Sequence, residues 1–264
     1  MYNILPMFKS HYSLGRSILT LEKPADKKDK KYKAGQYSSS IFDLLIDNQL
    51  DTLVLVEDNM SGLLQVSKQC EDSKIKLVFG LRLDVTENMD QKDDAAMMKR
   101  AKYIIMGNKP AAYKKLIKIS SLASRQGFYY KPAIDFKHLK DLWDDSLTLI
   151  VPFYDSFIYQ NTFNSHLHVP DFGFTKPLFL TEDNDLPFDE PLLNRVNSYA
   201  KGVFDILPAQ SIFYKSPDDF DAYVAFRCIH NRGSNQKSTL DKPELEHMGS
   251  NQFNFDKWMT RNQA

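Results

Sequence analysis

The sequence is short of cysteine, of long apolar runs and of any excess of charge, and each shortage excludes something. Only Cys70 and Cys228 occur among 264 residues. Both fall in apolar, helix-like stretches, which favours two reduced thiols over a disulfide framework or a zinc-type cysteine pairing. Lysine and arginine total 34, as do aspartate and glutamate, so the formal charge is zero. A chain so balanced does not hold polyanions by bulk charge alone. The longest apolar run, Leu147 to Tyr154, contains Pro152 and falls far short of a membrane span. The opening MYNILPMFK has no basic segment leading into an apolar one. No secretory signal is read there, and the expected location is the cytoplasm. A phosphate-binding glycine loop, a dinucleotide fingerprint and a nucleophile elbow are also missing.

What is present is an ordinary globular composition, 42% hydrophobic and 26% charged, at a length that builds a core without staples. Strand and helix patterns alternate. Asp51–Val56 (DTLVLV), Ile75–Leu81, Tyr103–Met106, Leu147–Val151, Leu178–Leu180 and Ser211–Tyr214 read as strands. Helices are expected from Ser40 onward with Ile41, Leu44 and Leu45 on one face, and after Asn59 with Leu63, Leu64 and Cys70. Another carries Tyr113, Leu116 and Ile117 and stops near Gly127. A last one starts on Ser216, Pro217 and two aspartates and carries Phe220, Tyr223, Val224 and Cys228. Repeated βα units of this kind predict a mostly parallel sheet or a barrel with helices outside.

Two stretches interrupt the rhythm. Lys23–Lys33 holds six lysines and two aspartates and reads as a solvated loop or as a local contact to a phosphate backbone or partner. Asn231–Ser250 is polar, like a linker, yet Phe253, Phe255, Trp258 and Met259 follow it and require a surface to dock on. Among candidate chemical groups, His166 and His168 share one side of an extended segment near Asp171, a spacing that holds a metal or merely furnishes a polar loop. Glu57 and Asp58 stand at the carboxyl end of a strand, where barrel enzymes place catalytic groups and where acids also cap the next helix.

The order of segments resembles the PHP (polymerase and histidinol phosphatase) domain of the alpha subunit of bacterial-type, family C replicative DNA polymerase III. The likeness runs through Ser10–Leu14 (SHYSL), Thr52–Gly62 (TLVLVEDNMSG), Ile75–Val85 (IKLVFGLRLDV), Ala112–Asp135 with its FYYKP stretch, Ser211–His230, Thr239–Pro243 (TLDKP) and Gly249–Met259. It implies a distorted (β/α)7 barrel over residues 1–230, with the lysine-rich insertion at 23–37. A linker and C-terminal docking arm would occupy 231–264.

The departures from the family carry as much information. Active members hold a cluster of divalent metals on histidines, aspartates and a glutamate. By the resemblance those positions fall here on Met7, Lys9, Glu57, Asp58, Arg82, Lys102, Ser211 and Phe213, with Asn184 and Asp155 near two more. Lys9, Arg82 and Lys102 would therefore face Glu57, Asp58 and Asp155. Cations repel a divalent metal but pair with acids, so the implied pocket is a degenerate one plugged by ion pairs, with no cofactor. The implied role is that of a catalytically inactive module in DNA replication, divergent and bacteriophage-encoded. Its partners would be the palm and thumb of the polymerase and a proofreading exonuclease. DNA would be contacted indirectly or through the lysine-rich loop, and Phe253, Phe255, Trp258 and Met259 of the docking arm would pack either back on the barrel's helices or onto a polymerase chain. Two alternatives stay open. One is a metal-dependent phosphoesterase or 3′–5′ exonuclease with zinc or manganese on Glu57, Asp58, Asp155, Glu182 and His11. The other is an anion site on Lys9, Arg82 and Lys102.

Overall fold

Strands β1 (Leu5–Phe8), β4 (Thr52–Glu57), β5 (Lys76–Thr86), β6 (Ala101–Gly107), β8 (Leu147–Val151), β9 (Leu178–Thr181) and β10 (Asp205–Ile212) form a closed ring in this computed structural model. Around the ring the order is β4-β1-β10-β9-β8-β6-β5, and β5 pairs again with β4 to close it. A short strand, β7 (Ala133–Asp135), pairs with the end of β5, and β2 (Leu19–Thr20) with β3 (Ser39–Ser40) forms a separate ribbon. The structure describes residues 2–10, 19–21, 23–24, 26–29, 39–107, 109–163, 170–230 and 249–263. The expectations placed on His11, His166, His168, Thr239–Pro243, most of the lysine-rich insertion and the linker lie outside the described residues.

The barrel expected from the resemblance is thus what the strands form, with two differences. β6 runs antiparallel to both β5 and β8. The last strand begins at Asp205, six residues before the expected start. Pro208, which reads as a strand breaker, sits where β10 hands over its pairing. Residues 205–208 pair with β9 and residues 209–212 with β1, so the missing N–H falls at the junction.

Local signals set the helices. Ser40 caps α1 (Ile41–Asp47) by accepting from Phe42 N at 3.2 Å. Lys74 closes α2 (Leu63–Ser73) in the left-handed conformation. The helix α4 (Pro110–Arg125) starts on Pro110. Gly127 after it tolerates no side chain, because a Cβ there would lie 1.8 Å from Ala133 O. Shorter helices α3 (Asp94–Met98), α5 (Phe136–Leu142) and α6 (Phe157–Phe163) and the longer α7 (Asp189–Ala200) fill the connections. Ser216 and Asp219 form a reciprocal capping box ahead of α8 (Phe220–His230), and α9 (Phe255–Gln263) ends the described chain. Among the described residues no helix is long and apolar enough to cross a membrane.

Two cores result. Met7, Val54, Val56, Ile104, Met106, Ile150, Leu180 and Ala209 form a small buried cluster in the lumen. Their neighbours on the other face of each strand, such as Phe8, Leu53, Leu55, Ile105 and Phe179, belong to the larger core under the helices. Cys70 lies in that core and Cys228 is half-buried, both as free thiols.

The tail packs on the barrel itself, the first of the two surfaces expected for it. Phe253, Phe255 and Trp258 are buried in the barrel's own core, with Met259 partly buried against it. Phe213 N donates to Phe253 O at 3.0 Å and Phe255 N to Tyr214 O at 3.0 Å. Trp258 Nε1 donates to Ile4 O at 2.9 Å. The packing therefore does not divide at residue 230, and these aromatic rings are spent on the barrel rather than held out to a partner.

Candidate functional site at the barrel mouth

Side chains alternate along a strand, so the register that faces the lumen continues to the mouth. Val54 and Val56 are followed on it by Asp58, Met7 by Lys9, Leu180 by Glu182, and Ala209 by Ser211 and Phe213. β5 contributes Arg82 and then Asp84. Because β6 runs backwards, its lumen register of Met106 and Ile104 reaches the same mouth at Lys102. A small cavity of about 50 Å³ there is lined by Met7, Lys9, Arg82, Tyr154, Glu182, Ser211, Phe213 and Phe253 among others. Beside it opens a groove of about 510 Å³ that includes Asp58, Arg82, Asp84, Lys102 and Asp155.

Charge pairing crosses this mouth. Arg82 bridges two carboxylates, with Nη2 2.7 Å from Asp155 Oδ2 and Nη1 3.6 Å from Asp58 Oδ1. Lys9 Nζ pairs with the other Asp58 oxygen. Asp155 holds a left-handed φ of 60°, a conformation that aspartate tolerates better than most residues. Its carbonyl accepts from Lys102 N at 2.8 Å. The Lys102 ammonium goes elsewhere, to Asp84 Oδ1 at 3.0 Å. Asp84, two residues beyond Arg82 on one strand face, was legible by alternation alone, but the sequence gives no strand direction and so no hint that Lys102 would oppose it.

Glu57 is separated from this set. It occupies the alternate register and accepts from Ser10 N at 2.8 Å and from the Ser10 hydroxyl. Burial lifts its carboxyl to about 7, with the Ser10 hydrogen bonds and the Lys9 charge restraining the rise. Glu182 is also buried and its carboxyl raised by that burial. It accepts from Ser211 N at 2.9 Å, Ser211 Oγ at 2.8 Å and Asn184 Nδ2 at 3.2 Å. Asn184 belongs to a wider buried network missed by the sequence reading. Its Nδ2 donates to Tyr154 Oη at 3.1 Å, Gln210 Nε2 donates to its Oδ1 at 2.7 Å, and Tyr154 Oη donates to Asp189 at 2.8 Å. Phe213 stacks on Tyr223 at 5.6 Å and packs on Phe253 at 5.5 Å, which roofs the small cavity with rings.

These residues do not fit a divalent-metal cluster. Such a cluster needs anionic and neutral donors converging on one point. Among the described residues no three His, Cys, Asp or Glu side chains converge in that way. Asp58 and Asp155 are drawn together by a guanidinium, Glu57 faces Ser10, and Glu182 faces Ser211 and Asn184. The rearranged ligand set of Glu57, Asp58, Asp155 and Glu182 is therefore not assembled, and His11 lies outside the described residues.

Removal of the guanidinium tests the pairing. Arg82→Ala leaves two carboxylates facing each other, but Asp58 is 37% exposed, so water absorbs part of the cost. The expected loss is about 1–3 kcal/mol in urea unfolding. Unchanged unfolding would show that the bridge contributes nothing.

Two comparisons with known proteins bear on this site. A family model described as the PHP domain matches residues 37–171, more than half of the chain. The DNA polymerase III subunit alpha of Chlamydia trachomatis serovar D (strain ATCC VR-885 / DSM 19411 / UW-3/Cx) is 30% identical over 93 residues. That stretch is 34% of this chain and only 8% of that much longer protein.

Proposed function

Because the chain belongs to the PHP domain family, we propose that it is a non-hydrolytic PHP module serving a replicative DNA polymerase, its barrel mouth given over to ion pairing. The observation that carries this reading is the Arg82 bridge between Asp58 and Asp155, with Lys9 on the same Asp58. By the resemblance, these cations stand at positions where the family's chemistry calls for metal ligands. The likeness to a DNA polymerase III subunit alpha supports the replicative setting. In this reading the barrel is kept for its surfaces: it packs on the palm and thumb part of a polymerase, receives a proofreading exonuclease and works in the cytoplasm, that of a host if the chain is bacteriophage-encoded. Since Phe253, Phe255 and Trp258 are already buried, partner contacts use other faces of the barrel.

The test is elemental analysis of the purified chain, joined to hydrolysis assays on p-nitrophenyl phosphate and 3′-labelled single-stranded DNA with added manganese or zinc. Substoichiometric metal and no metal-dependent turnover are expected. A stoichiometric metal together with turnover would replace this reading with the rearranged phosphoesterase. Co-purification of a polymerase polypeptide from the native source is the expected positive result.

A further inference from the structure

One helix of the outer layer carries charge of a single sign. Between Asp94 and Asp135 the chain has no acidic residue but nine lysines and arginines, although its formal charge overall is zero. Four of the nine lie on α4, whose Ala112, Leu116, Ile119 and Ala123 are buried against the barrel. Lys114, Lys118, Ser121 and Arg125 form the stripe on the opposite face, at steps of four, three and four residues, and all are exposed. Lys115, off this stripe, is neutralised by Asp144 at 2.9 Å. Among the described residues Lys114, Lys118 and Arg125 have no carboxylate partner. Helix stability does not account for the stripe. The first turn has no acidic residue to meet the macrodipole, and Lys114 and Lys118 repel at a spacing of four; neither favours a helix.

The same face carries apolar surface. Ile117 is 47% exposed and Leu122 is half-buried. Two ridges with a step of four residues run along it, Ile117–Ser121–Arg125 and Lys118–Leu122–Gln126. Between them lies a groove of about 230 Å³. Such a groove is the surface into which the ridge of a second helix packs. Ser121, the smallest of the six, stands in the middle of its ridge and allows a neighbouring backbone to come close. At the C-terminal end Lys92 Nζ donates to Gln126 O and Phe128 O. It adds a cation there that main-chain oxygens orient without neutralising.

We propose that this face of α4 docks an acidic amphipathic helix of a partner protein. The partner's apolar side chains lie over the groove between Ile117 and Leu122, and its carboxylates face Lys114, Lys118 and Arg125. Three unpaired cations along about 17 Å of helix select an acidic partner and exclude a basic one. The apolar groove then decides between the two kinds of macromolecule that bear many acids. A nucleic acid would use the cations but leave Ile117 in water, and the stripe presents no ring on which a base could stack. A helix buries Ile117 and meets the cations at once. The surface shares no residue with the groove beside the barrel mouth and does not depend on the mouth being inactive.

The probe is a labelled helical peptide of about five turns, with leucine along one face and glutamate on both flanks, titrated against the full chain by fluorescence anisotropy. Saturable binding that weakens as salt is raised is expected. The same peptide with lysine in place of glutamate should not bind. Lys114→Glu combined with Lys118→Glu is expected to weaken the acidic peptide by roughly tenfold or more and to admit the lysine peptide, a gain that a misfolded chain would not show. Ile117→Ser should weaken the acidic peptide by about fivefold. Melting temperatures should hold in both variants, because the altered side chains are exposed. Absence of saturable binding, or wild-type affinity in both variants, would overturn the proposal. So would a thymidylate 20-mer that binds as tightly and is insensitive to Ile117→Ser, which would assign the face to nucleic acid.

Discussion

Trp258→Ala is expected to cost about 3–5 kcal/mol, the range for emptying a fully buried aromatic site. Trp258 has no exposed surface. Its ring meets Tyr2 edge-on at 5.4 Å and Phe255 at 5.6 Å, and Phe255 in turn packs on Phe8 of β1 at 5.9 Å. Truncation to alanine leaves a cavity between the tail and the first strand and removes the donor to Ile4 O. A domain of this size has about 5–15 kcal/mol in all, so roughly a fifth or more of its stability rests on a residue near the end of the chain. Trp258→Phe weighs the two contributions differently, since it keeps a six-membered ring and loses the hydrogen bond with a smaller part of the packing, at about 1–2 kcal/mol. Chemical denaturation of the two variants is the measurement. An alanine variant within 1 kcal/mol of wild type would show that the tail contributes little, and the chain would then behave as a barrel with a detachable arm. By the same packing, a chain ending near residue 230 exposes Phe8, Phe213 and Tyr214 and is expected to aggregate rather than fold.

The tail also shows where sequence reasoning reached and where it stopped. Four apolar residues behind a polar linker do require a docking surface, and that much was legible. Which surface was not, because composition gives no distances, and the partner turned out to be the chain's own first strand. β4 was legible for a different reason: a run of Leu and Val between polar ends has few other uses. β1 and β10 were poorly legible because each carries a proline, Pro6 and Pro208, that weakens the strand pattern. The mouth was legible through alternation once the strands were placed. It was mis-grouped at Glu57, where a single step along the strand turns the carboxylate away from Arg82 and towards Ser10. Asn184 was placed near the pocket by the resemblance, but its network with Tyr154 and Gln210 was not legible, since the members are far apart in the chain and individually commonplace.

The displacement of Glu57 from the mouth gives the second large effect, a stability that falls as the pH rises. In the folded chain burial holds the Glu57 carboxyl at about 7, against an ordinary 4.5. The folded state therefore binds this proton more tightly than the unfolded state does. Its contribution is complete below pH 4.5, declines as the pH rises from 4.5 to 7 and stays lost above that. A shift of that size corresponds to about 3 kcal/mol. Glu57→Gln keeps an oxygen to accept from Ser10 and cannot ionise, so the slope due to this group disappears. The informative quantity is the difference between the two stability profiles, in which other titrating groups such as the raised Glu182 cancel. Measured by urea unfolding from pH 4 to 9, the variant should gain on wild type by about 3 kcal/mol, all of it between pH 4.5 and 7. Parallel profiles would mean that Glu57 titrates normally. A difference that grows in the opposite direction would mean that the Lys9 charge, and not burial, governs the carboxylate, and Glu57 would then belong with Asp58 in the ion-pair network after all.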